Sequence, residues 1–188
     1  MDRSLILAWI LVLCTAMAPP FCQGYYSNTV PYVPTPAKVT HLHFFFHDTL
    51  SGKNPSAVKV ARPNMTTAFS DTLIPFGSVF AVDDPLTVGP DLTSEVVGNA
   101  QGIWVSTGQD VSTLVMYLDF GFARGEFNGS SFSVLSRNPI TKTEREVAVV
   151  GGRGKFRLAT GFAHLKTYSL NFTSGDAIVE YNVTLIHH

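Results

Sequence analysis

The sequence predicts an all-β chain whose antiparallel strands close into one barrel, and three observations predict it. Apolar runs of strand length recur between residues 39 and 187, broken by Gly, Pro, Asn and Asp clusters. No segment carries a long helical period. Leu114, Met116, Leu118, Phe120 and Phe122 alternate against Thr113, Val115, Tyr117 and Asp119, which gives a strand one apolar face. With no helices to cover a second face, closing the sheet removes unpaired edges, and a two-sheet sandwich is the alternative. Eight strands would leave room for side chains and a small ligand.

Strands are expected near residues 39–48, 57–62, 77–83, 97–106, 110–122, 130–136, 146–150, 156–168 and 177–187. One of these nine is expected to be a short edge or extension. In the last, Val179, Tyr181, Val183 and Leu185 oppose Glu180, Asn182 and Thr184, so Asn182 should point outward.

Residues 1–24 read as a secretory signal peptide, with Arg3 before the apolar run Leu5 through Leu13 and Cys22 and Gly24 at the small-residue cleavage positions. Cleavage after Gly24 would remove Cys14 and Cys22 and leave roughly 164 residues without thiol or disulfide. A chain of that size suits one domain with one core. Residues 25–38, with Pro31, Pro34 and Pro36, are expected to form an extended arm, and residues 39–188 the barrel domain. Acceptor patterns at Asn64, Asn128, Asn171 and Asn182 fit a glycosylated extracellular protein.

Thirteen basic and fourteen acidic residues leave neither a nucleic-acid footprint nor a polybasic membrane patch. Apolar molecules and further copies of the chain are the expected partners. Phe45, Val115 and Tyr117 on outward faces point to a homo-oligomer.

Asp48 is the leading candidate for chemistry. It ends His41-Leu42-His43-Phe44-Phe45-Phe46-His47-Asp48 on the face of Leu42, Phe44 and Phe46. An unpaired carboxylate there must find a partner, reach water or stay protonated; otherwise strand curvature carries it to the rim to cap a turn with Thr49 and Ser51. His41 and His43 have the spacing of a metal-binding His-x-His, but no acid ligand follows, so an outer wall or subunit contact is favoured and no metal is expected. Asp83 and Asp84 before Pro85 read as a turn rather than a second acid pair at the barrel mouth. Gly151-Gly152-Arg153-Gly154 lacks the Lys-Ser or Lys-Thr of a phosphate loop and reads as a tight turn.

An ordered set of segments carries a family resemblance. Phe44-Phe45-Phe46-His47-Asp48, Val82-Asp83-Asp84-Pro85-Leu86-Thr87, Ala100-Gln101-Gly102, Phe127-Asn128-Gly129-Ser130, Arg145-Glu146 leading to Val150-Gly151-Gly152-Arg153-Gly154-Lys155-Phe156-Arg157, and Val179-Glu180-Tyr181-Asn182-Val183 together resemble the plant dirigent proteins. The resemblance implies a secreted, apoplastic glycoprotein with an eight-stranded antiparallel barrel of the calycin and allene-oxide-cyclase kind, trimeric, with a ligand pocket in each barrel. Dirigent proteins do not oxidise. They fix the face on which monolignol-derived phenoxy radicals or quinone methides couple, in lignan-type phenylpropanoid biosynthesis, and the radicals come from a separate laccase or peroxidase.

A legume branch of the family, the pterocarpan synthases, dehydrates isoflavanols as true lyases. A third possibility is a carrier of hydrophobic ligands. No cofactor is implied; a phenolic small molecule is. By resemblance Asp48 matches the family's pocket aspartate and Arg145 a pocket arginine, which would either meet a developing phenolate or lower the acid's pKa. Phe44, Phe46, Trp104, Phe120 and Phe122 would be apolar walls for planar phenols. Pinoresinol-forming members carry a second aspartate where this chain has Asn138, and tyrosines where it has Trp104 and Ser106, which places it outside that branch. Asp48 is then expected to do the proton chemistry alone, helped by Arg145.

Overall fold

The structure, a computed structural model, describes Ser27, residues 29–63 and residues 74–188. The expected signal peptide and Asn64 lie outside these. The chain divides into two compact units, residues 1–34 and 35–188. In the first, the described residues are exposed and without regular structure.

The second unit is built of β1 (Lys38–Asp48), β2 (Ala57–Ala61), β3 (Val79–Thr87), β4 (Val96–Ser106), β5 (Leu114–Phe122), β6 (Ser131–Asn138), β7 (Glu144–Arg153), β8 (Thr160–Leu170) and β9 (Ala177–His187). Every pairing is antiparallel, in the order β1-β9-β8-β7-β6-β5-β4-β3, and β1 meets β3 through Phe45 opposite Thr87 and Phe46 opposite Leu86. That contact closes an eight-stranded barrel, and β2 is the short extra strand on β3. Closure makes the inner faces of the strands the main place to bury apolar side chains. Leu114, Met116, Leu118 and Phe120 of β5 and Val179, Tyr181, Val183 and Leu185 of β9 all lie in the core.

β3 runs four residues beyond the expected end, through Pro85. The proline is tolerated because β3 changes neighbour there: Val79 to Val82 pair with β2, Leu86 and Thr87 with β1, and Pro85 stands in the gap. On its other side the strand pairs continuously with β4 up to Leu86. Gly102 of β4 sits at a φ of 153°, and a Cβ there would collide with the Tyr117 carbonyl, so only glycine lets β4 and β5 approach so closely.

The outer wall corrects one expectation. Phe45 is buried, edge-on to both His43 and Tyr168. The exposed apolar row is instead Ile103, Tyr117 and Leu135, neighbours across β4, β5 and β6. His41 and His43 are exposed on the opposite wall, where they bond across to Thr184 and Glu180 of β9.

Candidate functional site

The barrel interior holds a cavity whose empty volume is about 640 Å³, counting space open to solvent. Its apolar lining includes Phe46, Trp104, Met116, Leu118 and Val179; its polar lining is Asp48, Asn138, Arg145, Thr167 and Tyr181. Trp104 is fixed by Phe80, whose ring stacks on it at 3.9 Å.

The structure therefore brings five of the expected site residues, Phe46, Asp48, Trp104, Asn138 and Arg145, to one cavity. It does not bring Phe44, Phe120 or Phe122 there. Phe120 stacks on Phe132 at 4.9 Å with the rings 2° from parallel, Phe44 stacks on Tyr181 at 5.4 Å, and Phe122 packs edge-on against Phe44 and Phe156. Phe44 and Phe120 are core and Phe122 is partly buried against it, because inner-face aromatics from tilted strands interlock with each other.

Asp48 ends β1 opposite Ala177, with Oδ1 buried and without a hydrogen-bond partner among the described residues. Burial pushes its carboxyl up to about 7, and the nearby Asp176 carboxylate adds to the rise. The Trp104 indole offsets part of this without closing a full hydrogen bond, so its Nε1 is also left unpartnered. For Asp176, burial works toward a higher pKa, but Ser51 Oγ, Ser174 Oγ and the Leu50 and Ser51 N–H groups all donate to it and hold it below the ordinary value. Asp176 is thus a fixed negative charge that pins the loop after β1 and stands beside Asp48.

Arg145, buried on β7, donates from Nε to Asn138 Oδ1 at 2.9 Å. Its Nη1 is held by the Lys142 and Thr143 carbonyls at 2.9 and 3.1 Å and by Thr167 Oγ1 at 2.5 Å. Among the described residues none of its hydrogen bonds or ion pairs goes to a carboxylate. Burial lowers its pKa, yet an arginine stays charged. Asn138 Nδ2 points to Met116 Sδ at 3.3 Å, which locks the amide with its oxygen toward the guanidinium.

Asp84 is the residue that sequence reasoning set aside. It is fully buried within β3, and Ser56 Oγ donates to its Oδ1 at 2.5 Å while Oδ2 has no partner. Burial pushes its carboxyl up to about 8, the Asp48 charge adds to this, Ser56 works against it, and Asp83 adds to the rise. Asp83 faces outward and accepts from Asn99 and Gln101. The signal was in the sequence: Phe80, Val82, Asp84 and Leu86 share a face once the strand is continued through Pro85.

The comparisons fit this geometry. Residues 39–186 match the family model described as Dirigent-like protein. The chain belongs to the dirigent family. Dirigent protein 15 of Arabidopsis thaliana is 47% identical over 192 residues, covering all of both chains. Pterocarpan synthase 1 of Glycyrrhiza echinata is 50% identical over 167 residues, 87% of each chain. A solved pterocarpan synthase dirigent protein superposes with a TM-score of 0.76 at 48% identity, over 87% of this dirigent chain and 98% of its own.

Proposed function

We propose that this dirigent protein binds a phenolic quinone methide or its radical precursor in the barrel and fixes the stereochemistry of its coupling, without oxidising it. One observation carries the reading: Asp48 presents a carboxyl raised to about 7 at the wall of an apolar cavity, where it can hold a proton near neutral pH and give it to an oxygen of the ligand. Arg145, tied to neutral partners, keeps its charge for a developing phenolate. Phe46 and Trp104 supply flat apolar contacts. The substrate would be a monolignol radical made by a separate laccase or peroxidase. Secretion, glycosylation at the exposed Asn128, Asn171 and Asn182, and assembly into an oligomer through the Ile103, Tyr117 and Leu135 row belong to the same proposal.

A second reading is favoured by the two pterocarpan synthases at 50% and 48% identity. Here Asp48 protonates the leaving hydroxyl of an isoflavanol, water departs, and a phenolic oxygen closes the ring and returns its proton to Asp48. One acid and a neutral Asn138 suit a single leaving group. Chiral product analysis separates the readings. Coniferyl alcohol with an oxidase should give an enantiomeric excess under the first, whereas an isoflavanol should give pterocarpan without oxidant under the second. Racemic coupling together with unchanged isoflavanol would overturn both and leave a ligand carrier.

A further inference from the structure

Asp84 is used by neither reading, yet it is a fully buried carboxyl whose Oδ2 has no partner among the described residues. Its position follows from the seam that closes the barrel. Phe45 pairs with Thr87 and Phe46 with Leu86, the pairing ends there, and Asp48 and Asp84 each stand two residues past that last pair on their own strands, where the Asp48 charge is felt at Asp84. Ser56 fixes the pair from one side: its hydroxyl reaches Asp84 Oδ1 at 2.5 Å and the His47 carbonyl at 3.3 Å, and it accepts from the Thr49 N–H at 3.1 Å. One hydroxyl therefore touches Asp84 and both residues that flank Asp48. Asp48 Oδ1 and Asp84 Oδ2 are both buried and unpartnered, although a buried polar group seldom remains so.

We propose that Asp48 and Asp84 act as one unit that carries a single negative charge at neutral pH, and that Asp84 is the positioning residue that keeps a proton available to Asp48. Two carboxylates across one seam in an apolar interior cannot both ionise without mutual repulsion, so one proton is retained between them. The mechanism is balanced. With the retained proton on Asp48 and the charge on Asp84, Asp48 gives that proton to a ligand oxygen, and the repulsion between the two carboxylates then draws the proton released on ring closure back to Asp48. This rests on the proposed role of Asp48 as a proton donor.

Other groups facing the pair cannot replace this effect. Asp176, before β9, is a standing negative charge, Arg145 of β7 is bound to neutral partners, and Tyr181 of β9 is held protonated by burial. His47 points to the other side of β1, onto Thr87, and Asp83 faces outward.

The test is a carboxyl-carbon NMR titration of aspartate-labelled protein, with the Asp48 and Asp84 signals assigned by Asp48→Asn and Asp84→Asn. The wild type should show two coupled steps, the upper one above pH 7. In Asp84→Asn, Asp48 should titrate in one step at least one pH unit below that upper step. Independent single steps in the wild type, or an Asp48 curve unchanged in Asp84→Asn, would overturn the proposal. Should Asp84→Asn fold poorly, Ser56→Ala keeps both acids and removes the hydroxyl that opposes protonation. Its upper step should rise, and an unmoved step there would also overturn the proposal. Because the titration needs no substrate, coupled steps in a protein that processes neither phenol would refute the proposed function and leave the shared proton standing.

Discussion

Two parts of one barrel interior are made from the same strands and do opposite things. In the first, Phe44, Phe120, Phe122, Phe132 and Phe156 interlock as stacked and edge-on rings. In the second, the same β1 and β9 offer Asp48 and Ala177, β6 offers Asn138, β7 offers Arg145, and the rings give way to a cavity. Phe46 and Tyr181 belong to both, since each packs on Phe120 and each lines the cavity. The difference lies in side-chain volume and polarity rather than in backbone.

The widest separation of the two parts should come from Asp48→Asn. Its amide keeps the shape of the neutral acid but cannot give a proton, so turnover or enantiomeric excess should fall by about 100-fold or more while the thermal midpoint stays within a few degrees. Unchanged product would remove Asp48 from the mechanism. Phe132→Ala should do the reverse. Removing a fully buried ring stacked on Phe120 should cost about 3–5 kcal/mol in urea unfolding, while the Asp48 titration in the protein that remains folded stays in place.

A pH series sharpens the contrast. The carboxyls of Asp48 and Asp84 ionise near 3.8 when unfolded but at about 7 and about 8 when folded. The unfolded chain therefore releases protons first, so this pair withdraws stability as pH rises from about 4 to about 8 and nothing further beyond. Asp176, held low, and His47, lowered by burial, act in the opposite sense on falling pH. The wild type minus Asp48→Asn difference in urea midpoint cancels those two. It should grow against the wild type from pH 5 to pH 8, and a flat difference would mean that Asp48 is not buried as an acid.

The alternation along β5 and β9 was legible because each strand has one solvated face, and Asp48 was legible as an acid on the apolar side of β1. Asp84 was hidden by chemistry that usually means something else. Asp before Pro normally opens a turn, and only the change of neighbour at Pro85 lets the strand continue. The depth of Phe44, Phe120 and Phe122 was hidden for another reason. Alternation assigns a face, whereas strand tilt decides which inner residues meet, and no local pattern encodes tilt. Arg145 came from the family resemblance, since its strand begins at Glu144, two residues before the expected start, and the inward series Arg145, Val147, Val149 was cut short.

The smallest expected effect is on stability, and it comes from Asn138→Asp. The Asn138 oxygen already accepts from Arg145 Nε at 2.9 Å, so an aspartate in the same rotamer would keep that bond and turn it into an ion pair, while losing the contact of Nδ2 with Met116 Sδ. The gain from pairing a charge already buried and the cost of desolvating a new one should nearly offset, leaving stability within about 1 kcal/mol. Function should respond more than stability does. Arg145 would no longer be free to meet a phenolate, and the cavity would gain a second carboxylate beside Asp48 in its lining. If a single acid beside an unpaired Arg145 is what suits dehydration, Asn138→Asp should lower isoflavanol conversion and raise the enantiomeric excess of monolignol coupling. Equal shifts in both products would show instead that position 138 only shapes the cavity wall.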